Sequence, residues 1–174
     1  MDPIFRVDGN RVVTSSDAAG PWDPRMQHGS APAALVVWAA EAIPTSVPMQ
    51  IARVTIDLMR PVPVAPLSIE REILREGRKI QLCAIKLLAD GVVVVVSASV
   101  LKIKVQSLAL PHEIADLPLE RPGPDQSMVE PADHAGSPFT KCISMRAAHG
   151  RFRVRPGFAV FLRLALQVIL QLLL

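Results

Sequence analysis

The sequence predicts an α+β domain in which a curved antiparallel sheet wraps around one long buried helix. Two observations carry this. The run Ala31 to Ile43 is rich in Ala, Leu and Val and almost apolar all round, apart from Glu41; a helix with no polar face has to be enclosed. After it come four extended runs, Ile51–Arg60, Leu67–Arg75, Ile80–Ala89 and Val92–Lys104. Each shows period-two alternation or a continuous apolar stretch, and Pro- or Gly-bearing turns divide them.

Each element follows from local chemistry. Phe5 to Val13 reads as two short strands about an Asp8-Gly9-Asn10 turn. Ala19-Gly20-Pro21-Trp22-Asp23-Pro24 is a loop, because its Gly-Pro and Asp-Pro steps forbid regular structure. Ser30 is the expected N-cap, and Pro32 falls in the first turn, where a missing N–H costs nothing. Pro44 closes the helix. In the first long strand Val54, Ile56 and Leu58 lie opposite Arg53, Thr55 and Asp57; in the second, Ile69 and Ile73 lie opposite Glu70 and Glu72. Glu76-Gly77-Arg78-Lys79 is a tight turn, and Asp90-Gly91 is a strong hairpin signal. The five valines of the last strand suggest a central strand buried on both faces, with Lys102 and Lys104 at its solvated end. One helix and four long strands have one economical packing, with the sheet curled round the helix. This is the hotdog architecture.

Composition excludes several classes. The chain has 174 residues, 50% hydrophobic, 20% charged and 4% aromatic, with no Tyr. Mean hydropathy is +0.32, too apolar for a disordered chain. Cys83 and Cys142 are too few for a disulfide framework. His28, His112, His134 and His149 lack metal-ligand spacing, so no metal is expected. The net charge of +3 is dispersed, and few aromatics are available to stack bases, so nucleic-acid binding is not expected. The N-terminus lacks a basic and apolar leader. The expected compartment is therefore the cytoplasm, with both thiols free.

Residues 1–105 are expected to form the hotdog and 106–140 a Pro-rich linker, with one short helix near His112–Ala115. Residues 141–174 carry further strand-like runs and a very apolar end. In Phe158–Leu174 the polar residues Arg163, Gln167 and Gln171 repeat every four positions, which suits a helix, while Ala159–Leu166 also suits a strand. The run is too short, and carries an Arg, for a membrane span.

Four segments resemble one family: Gly20-Pro21-Trp22-Asp23-Pro24; Gln27-His28-Gly29-Ser30-Ala31-Pro32; Arg53 to Pro63 with its Arg60-Pro61 end; and Arg75-Glu76-Gly77-Arg78-Lys79-Ile80-Gln81. In that order they are similar to acyl-CoA thioesterases of the TesB-like type. Those proteins are double hotdogs, two pseudo-symmetric domains in one chain. The resemblance spans Phe5 to Lys104, a complete first hotdog. Gly150-Arg151-Phe152-Arg153 and Pro156 to Arg163 resemble the opening strands of the second. That half's helix and long strands are not among the 174 residues, so the second hotdog is expected to be truncated.

The resemblance implies an acyl-CoA thioester as substrate, no separate cofactor, and hydrolysis of the thioester bond. His28 and Gly29 form the implied oxyanion loop, since N–H groups at a helix start suit the charge that develops on a carbonyl oxygen. Gln27, Ser30, Arg60 and Arg78 are the implied substrate-binding residues, the arginines toward CoA phosphates. Hydrolysis also needs a base. Where many single hotdogs carry a helix carboxylate, this chain has Val37, and Glu41 lies one turn further on. The partners implied are acyl-CoA and a second hotdog, from a further copy of the chain or another subunit. The alternative function is a catalytically inactive binding or oligomerisation module. A hydratase would need a His/Asp pair on the loop, which Asp23 and His28 fit only loosely. Asp57 is expected to pair with Arg53 or Lys86 across the sheet.

Overall fold

A computed structural model of the chain describes residues 3–107, 109, 111, 124–126, 128–129, 136–151, 154–164 and 170–172. The elements are β1 (Phe5–Asp8), β2 (Arg11–Thr14), a 3-10 turn at Ser16–Ala18, α1 (Ser30–Glu41), β3 (Met49–Leu58), β4 (Leu67–Glu76), β5 (Ile80–Ala89) and β6 (Val93–Lys104). A second 3-10 turn (Pro124–Gln126), β7 (Met128–Val129), α2 (Pro138–Lys141), β8 (Ile143–Arg151), β9 (Val154–Leu164) and β10 (Leu170–Leu172) follow.

The main sheet runs β10-β1-β2-β4-β5-β6-β3. Every pairing from β1 to β3 is antiparallel, and β10 joins β1 in parallel. The expected hotdog is therefore present. The Asp8-Gly9-Asn10 turn closes β1 on β2 with Gly9 at φ 58°. At the β5–β6 hairpin both Asp90 (φ 52°) and Gly91 (φ 73°) are left-handed, as a turn matching strand twist requires.

The core forms where the sheet's inner face meets α1. Leu35, Val36, Ala39 and Ala40 have no exposure, and neither do Ile85, Leu87, Val96 and Val100 from β5 and β6. A stripe at Ala33, Ala34, Val37 and Trp38 is only half-buried, so the enclosure is not complete all round. Arg71 crosses part of it. Its guanidinium lies 5.6 Å from the Trp38 ring, donates to the Ala39 carbonyl, and donates to Asn10 Oδ1 at 2.9 Å.

Three sequence expectations change. Lys102 is not at a solvated end. It is 3% exposed, and its ammonium donates to the Ile43 carbonyl at 2.7 Å, just past the C-terminus of α1. Strand alternation turns this residue inward, and the helix end offers it an acceptor and a favourable dipole. The valine run is not buried throughout: Val92 and Val93 are exposed at the hairpin end, and the consecutive Val95 and Val96 are both buried at a register shift opposite Leu87 and Leu88. The outer face of this sheet meets solvent. Asp57 is not ion-paired with Arg53 or Lys86 among the described residues; its register partner is Ser97, which also faces Lys86 from the other side.

The expected helix near His112–Ala115 lies outside the described residues, as do Phe152 and Arg153. In the C-terminal region Val154–Leu164 is a strand paired with β8, and Leu170–Leu172 is a short strand. Among the described residues no helix is long and apolar enough to cross a membrane.

The Lys102 bond gives a stability prediction. Lys102→Met keeps an apolar stem but removes the donor, and is expected to cost about 1–3 kcal/mol through the stranded carbonyl. Urea unfolding measures it; an unchanged midpoint would show that the cap contributes nothing.

Candidate functional site

The site is built at the N-terminal end of α1, where backbone donors outnumber helical acceptors. The loop before it is held tightly. Gly20 N–H donates to the Met26 carbonyl, His28 N–H to Ala18 O, and Gln27 N–H to Val62 O, each at 2.8 Å. A Cβ on Gly20 would stand 3.4 Å from His28 N, so the loop folds back to contact distance here. Asp23 and Arg25 pair on the loop surface at 2.8 Å. Hydrogen bonds from Arg25 hold the Asp23 carboxyl below its ordinary range.

Gly29, not Ser30, is the N-cap of α1, and Ser30 is the first helical residue. No side chain of the cap residue serves the helix. Instead the His28 ring does: Ser30 N–H donates to His28 Nδ1 at 3.2 Å. Ala31 N–H donates to the His28 carbonyl and Ala33 N–H to the Gly29 carbonyl. Pro32 has no N–H to place. That leaves one donor of the first turn, the Gly29 N–H, without an acceptor among the described residues.

Gly29 sits at φ −55°, ψ −26°, a conformation open to any residue. Its backbone does not require glycine. A Cβ there would meet only Leu58 Cδ1, at 3.4 Å. The missing side chain therefore keeps a surface clear above the free N–H. Beside it stand exposed apolar groups: Leu58 is 54% exposed, and its chain neighbour Met59 58%.

The other expected site residues are dispersed. Gln27 is buried, and its amide donates to the Pro63 carbonyl at 2.8 Å. Its Oε1 is buried and has no partner among the described residues, so Gln27 ties two loops together and presents no polar group at the surface. Ser30 is exposed beside Gly29. Arg60 follows β3 and donates to the Val94 carbonyl at 3.0 Å, leaving its remaining N–H groups at the same end of the sheet as Gly29. Arg78 is in the β4–β5 turn. There Ile80 pairs with Ile103, which pairs with Gln50, whereas Leu58 near Gly29 pairs with Val96. Eight strand residues separate the two ends, about 26 Å. Arg78 and Gly29 are not brought together.

Glu41 is at the far end of α1, about 18 Å from Gly29 along the axis. Two surface pockets, of about 290 and 270 Å³, lie elsewhere: one about Asn10, Glu70 and Lys86, the other about Glu41, Met49 and Lys102. Neither is lined by the His28 loop. Among the described residues no group of His, Cys, Asp and Glu could hold a metal ion. Cys83 is fully buried, its thiol donates to Gln81 Oε1, and burial pushes its pKa up.

One site residue carried no usable sequence signal. Phe139 of α2, far along the chain, is fully buried and stacks on the His28 ring, with centroids 4.9 Å apart and planes 14° apart. Nothing in its local sequence points toward residue 28.

Residues 18–102 match the family described as the acyl-CoA thioesterase N-terminal domain. No curated protein matches the chain. Among solved structures, a conserved hot dog protein of unknown function from Alicyclobacillus acidocaldarius is similar at TM-score 0.61 and 23% identity, over 84% of this chain and 53% of that one. A candidate thioesterase from Novosphingobium aromaticivorans is similar at 0.58 and 21%, over 86% and 60%. A candidate thioesterase II from Thermobifida fusca is similar at 0.56 and 17%, over 82% and 50%. These likenesses show the fold. This chain matches only half to three-fifths of the length of those three proteins.

The half-buried His28 ring implies a pH dependence. Burial holds the His28 pKa below its ordinary 6.5. As pH falls, the unfolded chain takes up the proton first, so stability is complete above the ordinary value and lost through the folded one. Between about pH 7.5 and about pH 5 the wild type should lose more Tm than His28→Asn, which keeps an acceptor but does not titrate. Parallel Tm curves would refute this.

Proposed function

Residues 18–102 belong to the acyl-CoA thioesterase N-terminal domain family, and from that premise we propose that the chain binds acyl-CoA thioesters at the N-terminal end of α1. The thioester carbonyl oxygen accepts a hydrogen bond from the Gly29 N–H, beside His28 and Ser30. The acyl chain lies along the apolar lip of Leu58 and Met59 and toward the space between helix and sheet. Arg60 stands at the same end for the anionic part of CoA; Arg78 is out of reach of this geometry. The observation that carries the reading is the unspent Gly29 N–H with nothing but a leucine methyl near its missing side chain.

Hydrolysis on this site is a balanced acyl transfer to water. Water adds to the carbonyl carbon and gives a proton to a base, negative charge gathers on the carbonyl oxygen, and the C–S bond then breaks. CoA leaves as the thiol and the acyl group as the acid. The Gly29 N–H and the dipole of α1 stabilise the oxygen charge. A base is also required. Asp23 is engaged by Arg25 and Glu41 is remote, which supports a base supplied by a second hotdog, from another copy of the chain or another subunit. Residues 141–174 are, in this proposal, the opening of such a second hotdog, with 106–140 as its linker. The same two carboxylate positions favour a second reading, in which the chain holds the thioester without turning it over.

The test is thiol release from acyl-CoAs of graded chain length by the purified chain, with its mass in solution. The φ of Gly29 also suits proline. Gly29→Pro deletes the N-cap N–H without asking for a new φ, and is expected to lower release by about 10²- to 10³-fold. Full turnover in Gly29→Pro would overturn the oxyanion role. Tight binding without release at any length selects the second reading, and neither binding nor release rejects both.

A further inference from the structure

The segment that begins at Gly136 folds back onto the candidate site. Ser137 and Thr140 form a reciprocal capping box, each serving the other's backbone N–H, which makes the four-residue helix α2 a defined unit. Its Phe139 N–H donates to the Ala19 carbonyl at 3.3 Å, on the loop that leads to His28. The Phe139 ring has no exposure and lies nearly parallel to the His28 imidazole. On its edge, that imidazole accepts the Ser30 N–H at Nδ1. A neutral imidazole that accepts at Nδ1 carries its proton on Nε2.

Two constraints thus act on one ring. The hydrogen bond selects an edge, but a single contact at 3.2 Å leaves the ring free to swing about it, because rotation about the last imidazole torsion is soft. A stacked aromatic removes that freedom by fixing the plane. Phe139 lies outside residues 18–102, the stretch that carries the family match.

We propose that Phe139 is a positioning residue for the His28 loop: its ring fixes the imidazole plane so that Nδ1 stays on the Ser30 N–H and Nε2–H is the edge offered to an acceptor on the bound ligand. This rests on the reading of the loop as a thioester-carbonyl site; that reading concerns what binds, and this one what holds the ring. The charged groups on the surrounding elements are Asp17, Asp23, Arg25 and Lys141. Burial is the resolved cause of the lowered His28 pKa.

Phe139→Leu separates positioning from packing, since Leu fills an apolar niche but has no ring face. Nitrogen-detected NMR on the full chain reads the His28 tautomer and titration, and a non-hydrolysable acyl-CoA thioether reads binding. The wild type is expected to show the Nε2–H tautomer. In Phe139→Leu both tautomers appear, the titration moves up toward the ordinary imidazole value, and thioether binding loosens about three- to tenfold, the range of one neutral hydrogen bond. Phe139→Tyr, which keeps a ring face, stays close to the wild type. An unchanged tautomer and titration in Phe139→Leu overturn the proposal. Should that variant fail to fold, the wild-type ring decides alone, because an Nδ1–H imidazole there overturns it as well. A wild type that shows the expected NMR behaviour but binds no thioether supports the role of Phe139 and rejects only the ligand reading.

Discussion

The structure depends on one constraint: a helix with almost no polar surface must be enclosed, and an enclosed helix still has two ends. The first N–H groups and the last C=O groups of α1 have no partners within it. Buried without partners, each would cost about 1–3 kcal/mol. Much of the polar chemistry inside this fold serves those two ends, and it serves them unequally.

The C-terminal end is closed by long side chains from three strands. Arg71 of β4 reaches the Ala39 carbonyl, Gln81 of β5 the Pro44 carbonyl, and Lys102 of β6 the Ile43 carbonyl. Two of them are cations where the helix dipole is negative. The N-terminal end is closed by the chain's own preceding loop. His28 serves two donors, one through its ring and one through its carbonyl, and Pro32 removes a third. Gly29 alone keeps an open N–H on an exposed surface. The sealed end is structural. The open end is where a polarised ligand oxygen can complete the set, and this asymmetry ties the packing of the domain to its candidate chemistry.

Much of this was legible in the sequence. Strand β5 falls on Ile80–Ala89 as the alternation and flanking turns implied, because Glu76-Gly77-Arg78-Lys79 and Asp90-Gly91 mark both its ends by backbone preference. The helix was legible from its apolar run and Pro32. Its cap was not: Ser30 has the right chemistry, but the His28 ring took the role from two residues earlier, since tertiary contacts held it in place. Lys102 misled for a related reason. A lysine near a strand end ordinarily reaches water, and only a helix terminus packed against that strand turns it inward.

The sequence by itself determined the order of elements from β1 to β6 and the presence of a His-Gly step at a helix start. Those are properties of near neighbours: side-chain periodicity, proline and glycine geometry, and the two hairpin turns. The tertiary structure decided which of the candidate residues meet. It kept Gln27 for Pro63, set Arg78 at the far end of the sheet, and carried Phe139 across more than a hundred residues to the face of His28. Contacts of that range leave no periodic trace in a single chain, because they are fixed by how the helix is enclosed and by what its ends still require.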